Sequence, residues 1–255
     1  MSEENAGLKV TLPPDMIAAY RNWIREERKK AWQVRLISGT MQETKPSVLI
    51  ATIGTDFMPG TKEALLEVVE ETSRNGWQVA LESVKNLCIE PFHGLGAMRN
   101  WAAQQAIEGQ YDYLLTIDND VLLPDKNALL RLLSRGRMVV VPFYDQIYQQ
   151  EKDGGVPWDR LAEPLLEPDQ GLLPITWSAV SCVLYDTVVF RYAGQRLWTD
   201  ALISNEEAYY FLHLRNLGIR LWQDTDVRVN LLTGPTPVWK VMGRPNPNPA
   251  LVTDA

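Results

Sequence analysis

Apolar positions change period repeatedly along this chain, and the changes mark out its elements. Residues 14 to 37 place Ile17, Tyr20, Trp23, Ile24 and Trp32 at helical spacing, which predicts an amphipathic helix ahead of the main body. PSVLIATIGT is then a short β-branched run closed by Gly-Thr. TKEALLEVVEETSRNG follows, with Ala64, Leu65, Val68 and Val69 on one helical face and Gly76 as a stop. The alternation continues: WQVALESV as strand, GAMRNWAAQQAIEG as helix, YDYLLTI as strand, DKNALLRLLSRG as a short helix and RMVVVPF as strand.

Strands alternating with helices predict an α/β fold, doubly wound and Rossmann-like, with a mostly parallel central sheet flanked by helices. Ligands of such sheets bind at the carboxyl ends of the strands, so the loops after Ile53 and after Ile117 are expected to face one cleft. Residues 144 to 174 break the rhythm with Gly154, Gly155, Pro157, Pro164, Pro168, Gly171 and Pro174, and are expected to form a mobile flap over that cleft. TWSAVSCVLYD then predicts one strand, TVVFRYAG a short helix and SNEEAYYFLHLRNLG a well-marked helix. IRLWQ and VRVNLL predict two last strands before a Pro-rich tail, and no internal repeat is present.

With 255 residues and 45% hydrophobic content, the chain can bury a substantial single core. No stretch approaches the roughly 20 apolar residues of a membrane span. The start MSEENAGLKV lacks the regions of a secretory signal, so a cytoplasmic protein is expected. A net charge of -7 argues against a nucleic-acid partner. The basic run Arg25 to Arg35 is interleaved with Glu and suits a solvated helix face. Cys88 and Cys182, alone in apolar surroundings, are expected as buried reduced thiols.

Chemistry concentrates in YDYLLTIDNDVLLPD, where Asp118 and Asp120 follow an apolar strand. Two carboxylates at i and i+2, as a strand gives way to a loop, can turn toward one hard cation. Mg²⁺ takes one or two protein carboxylates and completes its shell with water and phosphate oxygens. The competing reading of any D-x-D in a loop is a turn with Asx caps. An EF-hand is excluded, because Leu122 and Leu123 fall where an oxygen ligand and a Gly are needed.

The order VLIATIGT, GAMRNWAA, YLLTIDNDVLLP, SNEEAYYFLHLRNLG resembles the GT-A fold nucleotide-diphospho-sugar glycosyltransferases, family 2 in particular, with Asp118, Asn119 and Asp120 as the DXD motif. The resemblance runs from about Pro46 to Leu232, dividing the chain into an N-terminal helical extension (1-45), a glycosyltransferase domain (46-235) and a Pro-rich tail (236-255). It implies that Thr52, Ile53, Gly54 and Thr55 contact the nucleotide base and ribose. Arg99 would contact the nucleotide too, against the alternative of a helix-surface salt bridge. Asp120 would hold the Mn²⁺ or Mg²⁺ that bridges the diphosphate, and Asp118 would approach the ribose, or the metal through water. Gly94 and Gly96 form G-x-G, but Arg99 replaces the third glycine of a dinucleotide fingerprint.

The acidic pair Glu206-Glu207 matches the family's catalytic acid, a general base that takes the acceptor hydroxyl proton in an inverting transfer, with Glu207 slightly preferred. Ser204 and Glu207 also spell a capping box, which would leave Glu206 the freer carboxylate. Where many relatives complete the metal site with histidine, this chain carries Asn230, a weaker ligand for Mn²⁺. His93 and His213 are assigned no ligand role. Tyr144, Tyr148, Trp158 and Trp177 are candidates to stack on sugar faces, with Trp158 and Trp177 as acceptor contacts. The implied partners are a nucleotide-diphospho-sugar donor and a hydroxyl acceptor, whether glycan, lipid or small molecule. TIDNDVLL also looks like the first motif of haloacid-dehalogenase-type phosphohydrolases, which would need a lysine and an acidic cluster such as Asp224 and Asp226. A third reading is a catalytically silent nucleotide-sugar-binding module.

Overall fold

The computed structural model describes residues 45–54, 56–58, 60–84, 95–149, 155–157, 162–163, 166–193 and 206–233. The predicted helix at 14–37, Thr55, Cys88, His93, Gly94, Trp158, Ser204 and the tail lie outside the described residues, as do the side chains of Tyr148, Glu206 and Glu207.

The apolar run Ser47–Ile53 forms β1, buried at all seven positions, as expected of a strand covered on both faces. It pairs in parallel with β2 (Gln78–Val84) and with β3 (Tyr113–Asp118). Helix α1 (Thr61–Arg74) crosses between β1 and β2, burying Ala64, Leu65 and Val68 and exposing Glu63. Its end is turned by Gly76 at φ 90, a left-handed geometry that glycine adopts without strain. Helix α2 (Leu95–Glu108) connects β2 to β3 and buries Met98, Arg99, Ala102, Ala103 and Ala106. After β3 come the two-residue strand β4 (Val121–Leu122), helix α3 (Ala128–Ser134) and β5 (Val139–Gln149).

Farther on lie β6 (Gly155–Pro157), β7 (Ala162–Glu163), β8 (Leu172–Ile175), β9 (Trp177–Ser178) and β10 (Cys182–Asp186). Helices α4 (Val188–Ala193) and α5 (Glu206–Asn216) and strand β11 (Leu221–Thr233) complete the described elements. The main sheet runs β2-β1-β3-β10-β5-β11-β4, with β6 added to β5 and β8 to β11. Because β10 is antiparallel to both β3 and β5, and β11 is parallel to β5, strands β2, β1, β3, β5 and β11 share one direction. The expected mostly parallel α/β sheet flanked by helices is therefore the architecture.

Three local expectations are corrected. Residues 144 to 174 are not one irregular flap: β5 continues to Gln149, pairs back with β6, and β8 adds to β11. Pro174 sits within β8, exposed on a strand with one partner, where a missing N–H costs no ladder bond. TWSAVSCVLYD is two strands, broken where the Tyr144 hydroxyl accepts from the Cys182 N–H at 2.9 Å and donates to the Ala179 carbonyl at 3.0 Å. Tyr144 is itself buried, which removes it from the stacking candidates. IRLWQ and VRVNLL form one strand, β11, whose register against β5 shifts between Asp224 and Arg228. Cys182 is a free, buried thiol as expected, its pKa raised by burial.

Candidate functional site

The end of β3 meets the end of β1, and backbone hydrogen bonds join the loops that follow them. Asn119 N–H donates to the Ile53 carbonyl at 2.9 Å, and Met58 N–H donates to the Asn119 carbonyl at 3.0 Å. Thr61 Oγ1 adds a bond to that same carbonyl at 3.0 Å, and the Asn119 side-chain amide donates to the Asp56 carbonyl. Gly54, at φ +123, lies against this side chain, and a Cβ there would come within 2.5 Å of Asn119 Cγ. Only glycine fits both the conformation and the space. Asn119 is thus the pin between two loops, while Asp118 and Asp120 flank it.

Arg99 stands behind Asp118. The guanidinium comes from α2, is 1% exposed, and its Nη2 donates to Asp118 Oδ1 at 2.9 Å and Oδ2 at 3.2 Å. This is a buried ion pair, not the exposed helix-surface bridge that stood as the alternative. A cation buried this deeply holds its partner in place, because removing the partner would strip the guanidinium of a compensating charge. Asp118 is held at the backbone as well, its N–H donating to the Ser181 carbonyl at 2.7 Å.

Asp120 has a different environment. Burial is the leading influence on its carboxyl and raises the pKa, only partly opposed by a backbone hydrogen bond and the charge of Arg99. Its carbonyl accepts from Leu232 N–H at 2.8 Å, which extends the antiparallel ladder pairing Leu122 with Asn230 and Val121 with Leu231. Asp120 thus lies two rungs from Asn230 along this ladder. Asn230 is 5% exposed, and its Oδ1 has no hydrogen-bond partner among the described residues. A carboxylate and an orphaned amide oxygen are hard donors, and they fit Mg²⁺ or Mn²⁺. No group of three His, Cys, Asp or Glu side chains able to hold a metal occurs among the described residues.

The other predicted residues are dispersed. Thr52 is buried with its hydroxyl bonded to Ser83 Oγ at 3.1 Å, and Ile53 is core, so their side chains serve the sheet. Trp177 packs against the core from β9, beside Glu163 of β7. Helix α5 begins at Glu206, and its first fully described side chain, Tyr210, is buried with its ring centroid 5.9 Å from that of Tyr185 on β10. The Tyr185 hydroxyl lies close to Thr116, Tyr210 and Arg99, so a polar layer connects α5 to the pair at Asp118. Sequence reading missed this layer, since a lone Tyr in an apolar strand gives no sign of its partners.

Asp224 and Asp226 are engaged elsewhere. Arg135 binds Asp224 through Nε at 2.7 Å and Nη2 at 2.9 Å, and Asp226 at 2.8 Å. Asp224 is fully buried, and its hydrogen bond to Arg135 is the main cause of the raised Arg135 pKa. The two carboxylates that a phosphohydrolase would require are therefore both tied to one arginine.

No protein-family model matches the chain, and no curated protein matches it. Among solved structures, A197 from STIV is similar at 14% identity and a TM-score of 0.45, over 72% of this chain and 84% of that one. A glycosyltransferase involved in the glycosylation of the major capsid of PBCV-1 is similar at 14% identity and a TM-score of 0.41, over 74% and 95%. GalNAc-T7, solved with UDP, GalNAc and Mn²⁺, is similar at 16% identity and a TM-score of 0.43, over 76% of this chain and 46% of that one.

Proposed function

We propose that this chain is a metal-dependent glycosyltransferase of the GT-A fold, moving a sugar from a nucleotide-diphosphate donor to a hydroxyl acceptor. The observation that carries the reading is the division between the two aspartates at the end of β3. Asp118 is locked by buried Arg99, whereas Asp120 lies two rungs along the β4–β11 ladder from Asn230, whose Oδ1 is orphaned among the described residues. Such a pair at the carboxyl edge of a mostly parallel sheet suits a ligand carrying both ribose hydroxyls and phosphates.

In this reading Asp120 and Asn230 hold Mg²⁺ or Mn²⁺, which when bound offsets the negative charge of a diphosphate leaving group. Asp118, held by Arg99, accepts a hydrogen bond from the ribose. Arg99 acts through Asp118, as its burial leaves the guanidinium turned inward. Gly54 and the backbone around it approach the nucleotide, with Thr55 beside them. Glu207 or Glu206, at the N-terminal turn of α5, takes the proton from the acceptor hydroxyl, giving inversion by a single displacement. Trp158 and Trp177 are the proposed acceptor contacts.

The domain limits at 46 and 235 and a cytoplasmic location belong to the same proposal. No helix among the described residues is long and apolar enough to cross a membrane. The phosphohydrolase reading is the weaker one, because Asp224 and Asp226 are occupied by Arg135. The test is release of nucleoside diphosphate from a panel of UDP-, GDP- and dTDP-sugars, run beside phosphate release from a generic ester. Nucleotide release with one donor and none from the ester supports the proposal; the reverse pattern overturns it. Binding of a donor without release supports the silent module instead.

A further inference from the structure

We infer that Asn230 makes the cation position beside Asp120 a Mg²⁺ site, with little preference for Mn²⁺. The inference rests on the proposed function only in placing a cation there. Asn230 is 5% exposed, and its Oδ1 has no partner among the described residues. Buried polar atoms are nearly always satisfied, and one that is not points to an ion or water it was shaped to receive. The β4–β11 ladder sets Asp120, Val121 and Leu122 against Leu232, Leu231 and Asn230, so these rungs contribute carboxylate and amide oxygen but no nitrogen or sulfur donor. Cys182 pairs with Ile117 and so faces away from Asp118, on the other side of β3.

Oxygen-only sites suit Mg²⁺, which keeps most of its waters and needs few protein ligands. Mn²⁺ gains over Mg²⁺ chiefly from imidazole or softer donors, and these rungs of the described ladder supply none. Leu122 and Leu232, which cluster with Ala64 and Met58, lie on the same ladder as Asn230. The Asn230 backbone is held by the ladder, while its Oδ1 keeps no hydrogen-bond partner among the described residues.

The test titrates Mn²⁺ alone onto the full chain, following the electron paramagnetic resonance signal of the free ion, with Mg²⁺ as competitor. Specific binding is the part lost in Asp120→Asn. Mg²⁺ is expected to displace half of it at no more than about tenfold excess. Asn230→Ala should weaken both ions by a similar factor, Asn230→Asp should tighten both, and Asn230→His should tighten Mn²⁺ alone by about tenfold. Circular dichroism melts establish that each variant is folded, and the isosteric Asn230→Asp serves if Asn230→Ala is not. A need for more than about hundredfold Mg²⁺, no specific binding, or variants that bind like the parent would overturn the inference. Binding in the expected pattern, by a chain that releases no nucleotide from any sugar donor, sustains the role of Asn230 and overturns the transferase reading. Transfer with Mn²⁺ but not with Mg²⁺ does the opposite.

Discussion

Replacing each aspartate at the end of β3 by asparagine should move stability in opposite directions. Asp118→Asn removes a counter-charge bonded to Arg99, which is 1% exposed. Deleting one partner of a buried pair costs about 3–5 kcal/mol. Asp118 is 18% exposed and asparagine keeps an acceptor oxygen, so about 2–3 kcal/mol is the appropriate range here. At about 2–4 °C per kcal/mol for a domain of this size, the melting temperature should fall by about 4–12 °C. Asp120→Asn instead removes a charge that burial disfavours, and should raise the melting temperature in EDTA.

The pH dependence follows from the direction of the Asp120 shift. An acid with a raised folded pKa binds more protons in the native state, so its contribution to stability falls as pH rises from the unfolded value through the folded one. The gap between Asp120→Asn and the parent should be near zero at about pH 3, where the carboxyl is protonated in both states, and open toward pH 7. Differential scanning calorimetry in EDTA across this range is the assay. A fall for both variants, or an unchanged Asp118→Asn, would refute the division of labour between them.

Three further substitutions probe the scaffold. Gly54→Ala forces a side chain into a left-handed position against Asn119; it should cost about 1–3 kcal/mol by urea denaturation and loosen the loop, seen as faster amide exchange at Met58. Tyr144→Phe leaves the buried Cys182 N–H without its acceptor and should cost about 1–3 kcal/mol in the same assay. Arg135→Met strands the fully buried Asp224 carboxylate and should cost about 3–5 kcal/mol, most of it recovered in Arg135→Met/Asp224→Asn.

Much of the fold was legible because the period switches are strong. The run SVLIATI can only be a doubly covered strand, and α1 and α2 alternate with strands as βαβ units require. What escaped was decided by tertiary partners. Nothing local in TWSAVSCVLYD announces that a hydroxyl from β5 will break it, and Pro174 is admitted to β8 only because that strand lies at an edge. The two-residue β4 exists through its ladder with β11, too short for any pattern to mark. At the site, Asp118 and Asp120 stood out in the sequence. The resemblance gave them different roles, but not the physical basis, which is an arginine from another element paired with Asp118 and an orphaned amide oxygen more than a hundred residues farther along.

The central claim is tested most directly by thermal shift with UDP-, GDP-, CMP- and dTDP-sugars, with and without Mg²⁺ or Mn²⁺, on the parent chain and on Asp120→Ala. A donor present at a hundred times its Kd should stabilise the fold by about 2.7 kcal/mol, a rise of roughly 5–11 °C. That rise for one nucleotide, dependent on the cation and absent in Asp120→Ala, is the predicted result. No rise with any donor in either metal, or a rise that Asp120→Ala retains in full, would contradict the account.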